Sequence, residues 1–156
     1  MAEDLTIGDI LEKAICKEIE AQVLYKDISR RINNPAEREA FQELEKQERG
    51  HQEHLERYLR GELKEGGLSN VQVIDYKIAE KLEQAQISPD MALEDAFLLA
   101  AQREKTAHEF YIGLAEIHLP GDIKKLLQEL AEQELEHKQR VEYLYTEVAF
   151  PQTDGG

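Results

Sequence analysis

The chain has 156 residues, about the size of one domain, and its 33 acidic and 19 basic side chains give a net charge of −14. Such acidity disfavours nucleic acid and anionic membrane surfaces as partners, and no stretch is long and apolar enough to predict a membrane-spanning helix. The lone Cys16 excludes an internal disulfide and a four-cysteine metal site. With no export signal visible, we expect a cytoplasmic protein with one domain over residues 1–150 and a disordered tail over 151–156.

Glycine and proline residues divide the chain into four long segments, each with an apolar stripe of helical periodicity. Stripe positions alternate at spacings of four and three over residues 7–32, 41–58, 93–114 and 123–148. This alternation keeps the side chains on one face of each segment, which is typical of the helices of a bundle.

The connections between the segments predict how the helices are joined. Short turns follow the first and third helices, so each of them forms an antiparallel hairpin with the next helix. Ser88, followed by Pro89, predicts the start of the third helix, and Asp122 is the expected N-cap of the fourth. Residues 61–87 form a longer connection, in which 73–85 is expected to be a short helix. Two hairpins joined by a long crossover predict an all-α, ferritin-like four-helix bundle.

The two halves of the chain repeat each other. Residues 18–59, shifted by 86 positions, align without a gap on residues 104–145. Ten positions of the first half then meet identical residues in the second, namely Glu18, Ala21, Tyr25, Gln42, Glu43, Leu44, Gln47, Glu48, His51 and Glu56. The identity of the matched residues is stronger evidence for a repeat than their number, because they place a Glu-x-x-His pair in each half.

Each apolar stripe contains a glutamate near its middle, where the interior of a bundle should be apolar. The charged and imidazole side chains on the stripes are Glu18, Glu48, His51, Glu104, Glu134 and His137. An unpaired carboxylate in such a core costs several kcal/mol, and four together repel one another. No lysine or arginine occupies a stripe position. Two divalent cations would balance the four negative charges, with two neutral imidazoles completing the coordination.

The spacing of these residues suits a pair of metal sites. Residues three apart on a helix are neighbours, so the Glu-x-x-His pairs of the second and fourth helices would each hold one ion. The glutamates of the first and third helices would bridge or chelate. Carboxylate and imidazole ligands without a thiolate suit iron or manganese, with zinc as a further substitute. A metal-free structural bundle is the alternative interpretation.

Four motifs resemble those of the rubrerythrin and ferritin-like superfamily, and the resemblance covers residues 5–148. The motifs are EIEAQVLY at 18–25, ERGH at 48–51, EKTAHEFY at 104–111 and ELEH at 134–137. The resemblance implies a non-haem di-iron centre that reacts with hydrogen peroxide or oxygen, held by the six glutamate and histidine side chains on the stripes. It also implies that Tyr25 and, by symmetry, Tyr111 donate hydrogen bonds to ligand carboxylates.

Two departures from the family pattern bear on function. Rubrerythrins proper carry a second domain in which four cysteines hold an iron for electron delivery, whereas this chain has only Cys16. An external donor such as a rubredoxin is therefore expected. Rubrerythrins also often have a further ligand glutamate where this chain has Ala107, and the remaining six-ligand set is similar to that of bacterioferritin. We expect an oxidoreductase that reduces peroxide or oxygen, with a ferroxidase or iron-storage protein as the alternative.

Several side chains outside the stripes also carry predictions. Four apolar residues of the third helix need cover from the crossover or from a second subunit, and we expect a homodimer or higher homo-oligomer. These residues are Leu98, Leu99, Phe110 and Ile112. Three histidines are expected at surface, interface or helix-end positions, namely His54, His108 and His118. Cys16 is expected to be an inert thiol.

Overall fold

The computed structural model describes residues 6–63 and 91–149, and over these two ranges the chain forms four α-helices. They are α1 (Ile7–Arg31), α2 (Pro35–Leu59), α3 (Leu93–Glu116) and α4 (Asp122–Ala149). Helix α1 packs along α2 and α3 packs along α4, while the two pairs meet through α1 with α3 and α2 with α4. The predicted all-α bundle of two helical hairpins is therefore confirmed.

Some predictions fall on parts of the chain that the structure does not describe. The expected crossover helix at 73–85 and the tail at 151–156 lie outside the described residues, and the extent of the domain stays a prediction. Among the described helices, none is both long enough and apolar enough to cross a membrane.

Side chains ahead of the first two helices fix where these helices begin. Thr6 caps α1, because its hydroxyl accepts from the backbone N–H of Asp9 while the Asp9 carboxylate accepts from the backbone N–H of Thr6. Asn34 caps α2 by accepting two backbone N–H groups of the first turn, and Pro35 occupies the first helical position. Both caps satisfy backbone donors that the helix itself leaves free.

The predicted starts of α3 and α4, the helices of the second hairpin, differ from what the structure describes. The predicted start of α3 at Ser88 and Pro89 lies outside the described residues. Within the described residues α3 begins at Leu93, and Ala92 before it is extended, with φ −62° and ψ 149°. Asp122 is the first residue of α4 and not its cap. The backbone N–H of Lys125 donates to the carbonyl of Gly121 at 3.0 Å, which places Gly121 at the cap position.

Two apolar clusters fill the bundle, one on each side of a polar middle. The larger side chains of one cluster are Ile10, Leu11, Leu55, Phe110, Tyr111, Leu114 and Leu127, and those of the other are Leu24, Tyr25, Ile28, Phe41, Leu44, Phe97 and Val141. On every helix, the charged stripe residues lie between the residues that the helix gives to the two clusters. The clusters therefore enclose the charged groups from both ends of the bundle.

The extra apolar residues of α3 divide into two groups. Leu99 and Phe110 are buried within the chain, so they need no further cover. Leu98 and Ile112 remain 51% and 41% exposed. The expected homo-oligomer stays a prediction, and these two side chains are the ones of this set that a partner would cover.

The histidines outside the stripes take different positions. His54 is exposed and His108 is half-buried. His118 lies just beyond the end of α3, as expected for a helix-end residue, but it is buried and not on the surface. The chain turns its ring inward, where Nε2 lies 2.5 Å from the hydroxyl of Tyr58 and Nδ1 lies 2.7 Å from the carbonyl of Leu114.

Candidate metal centre

The six charged and imidazole side chains of the stripes converge in the middle of the bundle. Each of them is 3% exposed or less. They form two overlapping groups, Glu18, Glu48, His51 and Glu134 in the first and Glu48, Glu104, Glu134 and His137 in the second. Within each group, one potential ligand atom per residue lies within 4.8 Å of the others. Glu48 and Glu134 belong to both groups, whereas each other residue belongs to one.

Several of the converging atoms lack a hydrogen bond. Glu18 Oε2, His51 Nδ1, Glu104 Oε2 and Glu134 Oε1 are buried with no hydrogen-bond partner among the described residues. His51 Nδ1 and Glu134 Oε1 lie 2.6 Å apart without the alignment of a hydrogen bond. A buried polar atom left without a partner costs about 1–3 kcal/mol. These four atoms are carboxylate oxygens or an imidazole nitrogen and belong to residues of the two groups, so bound cations fit as their missing partners.

The pKa values of several glutamates and histidines in the candidate metal centre differ strongly from their ordinary values. Burial, with repulsion from Glu48, raises the pKa of Glu18 well above its ordinary value, and burial with repulsion from the other glutamates does the same for Glu134. Burial alone would also raise the pKa of Glu48, but hydrogen bonds from Glu18 and the two histidines outweigh it and hold this pKa well below its ordinary value. Burial would lower the pKa of His137, but contacts with Glu104 and Glu48 raise it to about 9.

These shifts predict that metal binding releases protons. Without metal, a pKa of about 9 keeps a proton on His137 near neutral pH, and the raised pKa values of Glu18 and Glu134 favour their protonated forms, whereas a bound cation requires the deprotonated forms. We therefore expect at least one proton released per chain on loading with Co²⁺ at pH 7, and a metal affinity that falls as the pH falls. An indicator dye in weak buffer measures the release. Loading without a pH change would contradict the prediction.

Two tyrosines contact the carboxylates across the bundle. Tyr25 on α1 donates its hydroxyl hydrogen to Glu104 Oε1 on α3, and Tyr111 on α3 donates to Glu18 Oε1 on α1 at 2.6 Å. Each contact therefore joins the two hairpins, and the pair follows the internal repeat. Both tyrosines are buried, and each leaves the second oxygen of its glutamate free for another partner. That these tyrosines act in a reaction remains a prediction.

Two glutamines support the histidines, and the sequence interpretation missed both. Gln133 Oε1 lies 2.6 Å from His51 Nε2, and Gln47 Oε1 lies 2.5 Å from His137 Nε2. Because an amide oxygen only accepts, Nε2 of each ring carries the hydrogen and Nδ1 faces the carboxylates. The signal was available, since Gln47 and Gln133 are equivalent in the repeat and each directly precedes the Glu of a Glu-x-x-His pair.

Removing one of these glutamines should weaken metal binding. In the variant Gln133→Leu, His51 loses the acceptor that fixes its hydrogen on Nε2 and orients its ring. We expect an approximately 10–100-fold loss of affinity for one of two metal ions, measured by anaerobic Co²⁺ titration. Gln128→Leu, at an exposed position of the same helix, is the matched control and should bind as wild type. Equal affinities in both variants would show that Gln133 does not support the site.

A helical bundle with four carboxylates and two imidazoles buried at its centre defines the class of ferritin-like di-iron carboxylate proteins. The rubrerythrin family model matches residues 9–145, so the chain belongs to the rubrerythrin family. No curated protein matches the chain.

Two solved structures share the fold. A hypothetical protein from Pyrococcus furiosus has 22% sequence identity and a TM-score of 0.75, covering 96% of this chain and 94% of that one. A protein from Thermotoga maritima, described as a ferritin-like diiron-carboxylate protein, has 24% identity and a TM-score of 0.69, covering 95% and 99%. At these identities the likeness concerns the fold, and it confirms the ferritin-like architecture.

Proposed function

We propose that this protein is a non-haem di-iron oxidoreductase that reduces hydrogen peroxide, or oxygen, with electrons from an external donor such as a rubredoxin. The observation that carries the proposal is the buried set of four carboxylates and two imidazoles, several of whose atoms point at one another without a hydrogen bond. Oxygen and nitrogen ligands of this kind suit iron, and manganese or zinc could replace it. Membership of the rubrerythrin family supports redox chemistry at this centre.

The overlap of the two ligand groups suggests a role for each residue. Glu48 and Glu134 belong to both groups and would bridge the ions. Glu18 with His51 would complete one site, and the equivalent residues of the repeat, Glu104 with His137, the other. The sequence alone had offered bridging as a role for the glutamates of α1 and α3, whereas the distances favour those of α2 and α4.

Side chains around the metal ligands would orient these ligands and exclude bulk water. When bound, a di-ferrous pair supplies the two electrons that break the O–O bond, so that one hydrogen peroxide, two protons and two Fe²⁺ give two waters and two Fe³⁺. The hydrogen bonds from Tyr25 and Tyr111 hold the carboxylates of Glu104 and Glu18 in place through this change of charge. The two apolar clusters exclude bulk water from the two ends of the bundle.

Stopped-flow mixing tests the proposal. Protein loaded anaerobically with two Fe²⁺ per chain is mixed with one equivalent of hydrogen peroxide or, separately, with oxygen. We expect rapid oxidation of both irons by peroxide, and repeated turnover when reduced rubredoxin is added. The Glu134→Leu variant is the control. Iron oxidation no faster than in this variant would refute the proposal.

A ferroxidase or iron-handling function is the second candidate. It is favoured by the two-fold symmetry of the six side chains and by Ala107, which offers no further carboxylate in the wall of the centre. Native mass and iron content distinguish the two functions. A large shell that accumulates iron far beyond two ions per chain indicates storage, whereas a small oligomer that turns over peroxide with a reduced donor indicates the oxidoreductase.

A further inference from the structure

A second stripe of side chains runs along α1 on the side away from the bundle core. Its members recur at alternating spacings of four and three, and all of them are exposed: Glu12, Cys16, Ile19, Val23, Lys26 and Arg30. At 3.6 residues per turn, this spacing confines them to a sector of about 80° of the helix. We call this set the outer stripe. The same alternation of spacings is the one by which helices pack in pairs.

The middle of the outer stripe is apolar. Ile19 and Val23 are 42% and 59% exposed and lie one turn apart, so they form one patch. The neighbouring helix α2 has no such patch, because its exposed residues between Glu39 and Arg57 are all polar. The patch on α1 is therefore a local feature of this helix and not a general property of the surface of the bundle.

The two ends of the outer stripe carry opposite charges. Glu12 lies at one end, and Lys26 and Arg30 lie at the other. None of these three has an ion pair within the described part of the chain, whereas four other charged residues of α1 form pairs along the helix or its edge. The outer stripe is thus acidic at its beginning, apolar in its middle and basic at its end. Such a surface is complementary to itself when it is turned end over end.

We propose that α1 is the contact surface of a homodimer, in which the outer stripes of two copies of this chain pack antiparallel about a two-fold axis. Ile19 then faces Val23 of the second copy, and Glu12 faces Arg30 of the second copy. The symmetry makes each contact twice. The exposed apolar side chains are covered, and charges that have no ion pair within the described chain gain one across the interface.

The exposed apolar residues of α3 do not offer an equivalent surface. Leu98 and Ile112 are far apart along the helix, and the exposed Lys105 lies midway between them. An antiparallel pair of α3 helices that covered both apolar residues would set Lys105 against Lys105 of the second copy, where the like charges repel. Charge complementarity therefore favours α1 over α3 as the helix on the two-fold axis.

Sedimentation velocity over a dilution series tests the position of the interface. The wild type should reach at least twice the 18.0 kDa of the single chain as its concentration rises. Val23→Glu should weaken this association at least 100-fold, because it places a charge in the apolar middle of the interface. Leu98→Glu, at an exposed position of α3, is the matched control and should associate as wild type. A wild type that stays monomeric, or equal association of wild type and Val23→Glu, would overturn the inference.

Exchanging the charges at the two ends tests the antiparallel arrangement. Glu12→Arg and Arg30→Glu should each weaken association about tenfold, because each turns two attractive contacts per dimer into repulsive ones. The double variant Glu12→Arg with Arg30→Glu should recover the affinity of the wild type, since it restores opposite charges at every facing pair. A general loss of stability would add up in the double variant. A double variant weaker than both single variants would therefore refute the arrangement.

Cys16, the only cysteine of the chain, reports what covers the outer stripe. In the proposed dimer it lies opposite Lys26 of the second copy, so a short crosslinker with a maleimide and a succinimidyl ester should join two chains. Lys26→Gln should lose most of this product. A monomer with an unreactive thiol would instead indicate that residues 64–90 of the same chain cover α1, and a monomer with a reactive thiol would leave the face to another protein. Either result would overturn the inference. None of these readouts involves peroxide or iron oxidation, so they are independent of the proposed function.

Discussion

Replacing Glu134 with leucine should abolish binding of both metal ions, whereas replacing Glu18 should abolish binding of one. The reason is geometric, since Glu134 contributes to both groups of potential ligand atoms and Glu18 to only one. Without Glu134 each site keeps fewer carboxylates, and the two cations lose a shared negative charge that holds them close together. Anaerobic Co²⁺ titration followed by metal analysis of the desalted protein measures the stoichiometry.

The internal repeat supplies further tests of the same prediction. Glu48→Leu should behave as Glu134→Leu, because the two residues are equivalent in the repeat and both belong to the two ligand groups. Glu136→Leu, at an exposed position on α4, is the control and should retain both ions. One ion retained by Glu134→Leu would show that each Glu-x-x-His pair holds its own ion without sharing, as the sequence alone suggests.

The helical bundle was predictable because its signal is local and repeated. The 4–3 spacing of apolar residues marks the core face of each helix whatever the helix packs against. Most residues of the four stripes are buried and the others are half-buried. The beginning of α3 was not predictable in the same way. Nothing in the local sequence predicts that Ala92 is extended. The helix begins at the next residue, and no side chain caps it.

The candidate ligands were predictable because their charge conflicts with their position. A glutamate on an apolar stripe demands an explanation, and the same argument applied to four stripes identified all six side chains that converge. Gln47 and Gln133 raised no such conflict, because a polar residue beside the stripe is also what a solvated face contains. Their contacts cross between hairpins, from α2 to α4, and a sequence pattern gives no distance across that gap.

The division of roles among the glutamates depends on distances of the same kind. Spacing along one helix shows that Glu48 can share an ion with His51, but it does not show that Glu48 also lies beside His137, whose Nδ1 is 2.5 Å from Glu48 Oε1. The pairing of Tyr25 with Glu104 also joins two helices from different hairpins. Residue type and periodicity therefore identified most of the polar cluster, while its internal connections required the packed structure.

Metal should reverse the order of stability of the wild type and the Glu134→Leu variant. In chelator, the wild type buries the carboxyl group of Glu134 at a desolvation cost, and its Oε1 has no hydrogen-bond partner among the described residues. Leucine has a similar size and removes this buried polar group, so the free energy of unfolding of the variant should be about 1–3 kcal/mol higher than that of the wild type. With Co²⁺ at about a thousand times its dissociation constant, the wild type gains about 4 kcal/mol from one ion alone.

Thermal unfolding followed by circular dichroism measures both parts of this prediction. For a domain of this size, 1 kcal/mol corresponds to about 2–4 °C in Tm, so loading one ion should raise the Tm of the wild type by roughly 8–16 °C. The Tm of Glu134→Leu should not change on adding metal, because the variant has lost the ligand that both groups share. Equal metal-induced shifts in both proteins would place the ions elsewhere. A variant that melts below the wild type in chelator would instead indicate that the contact between Glu134 and His51 stabilises the metal-free fold.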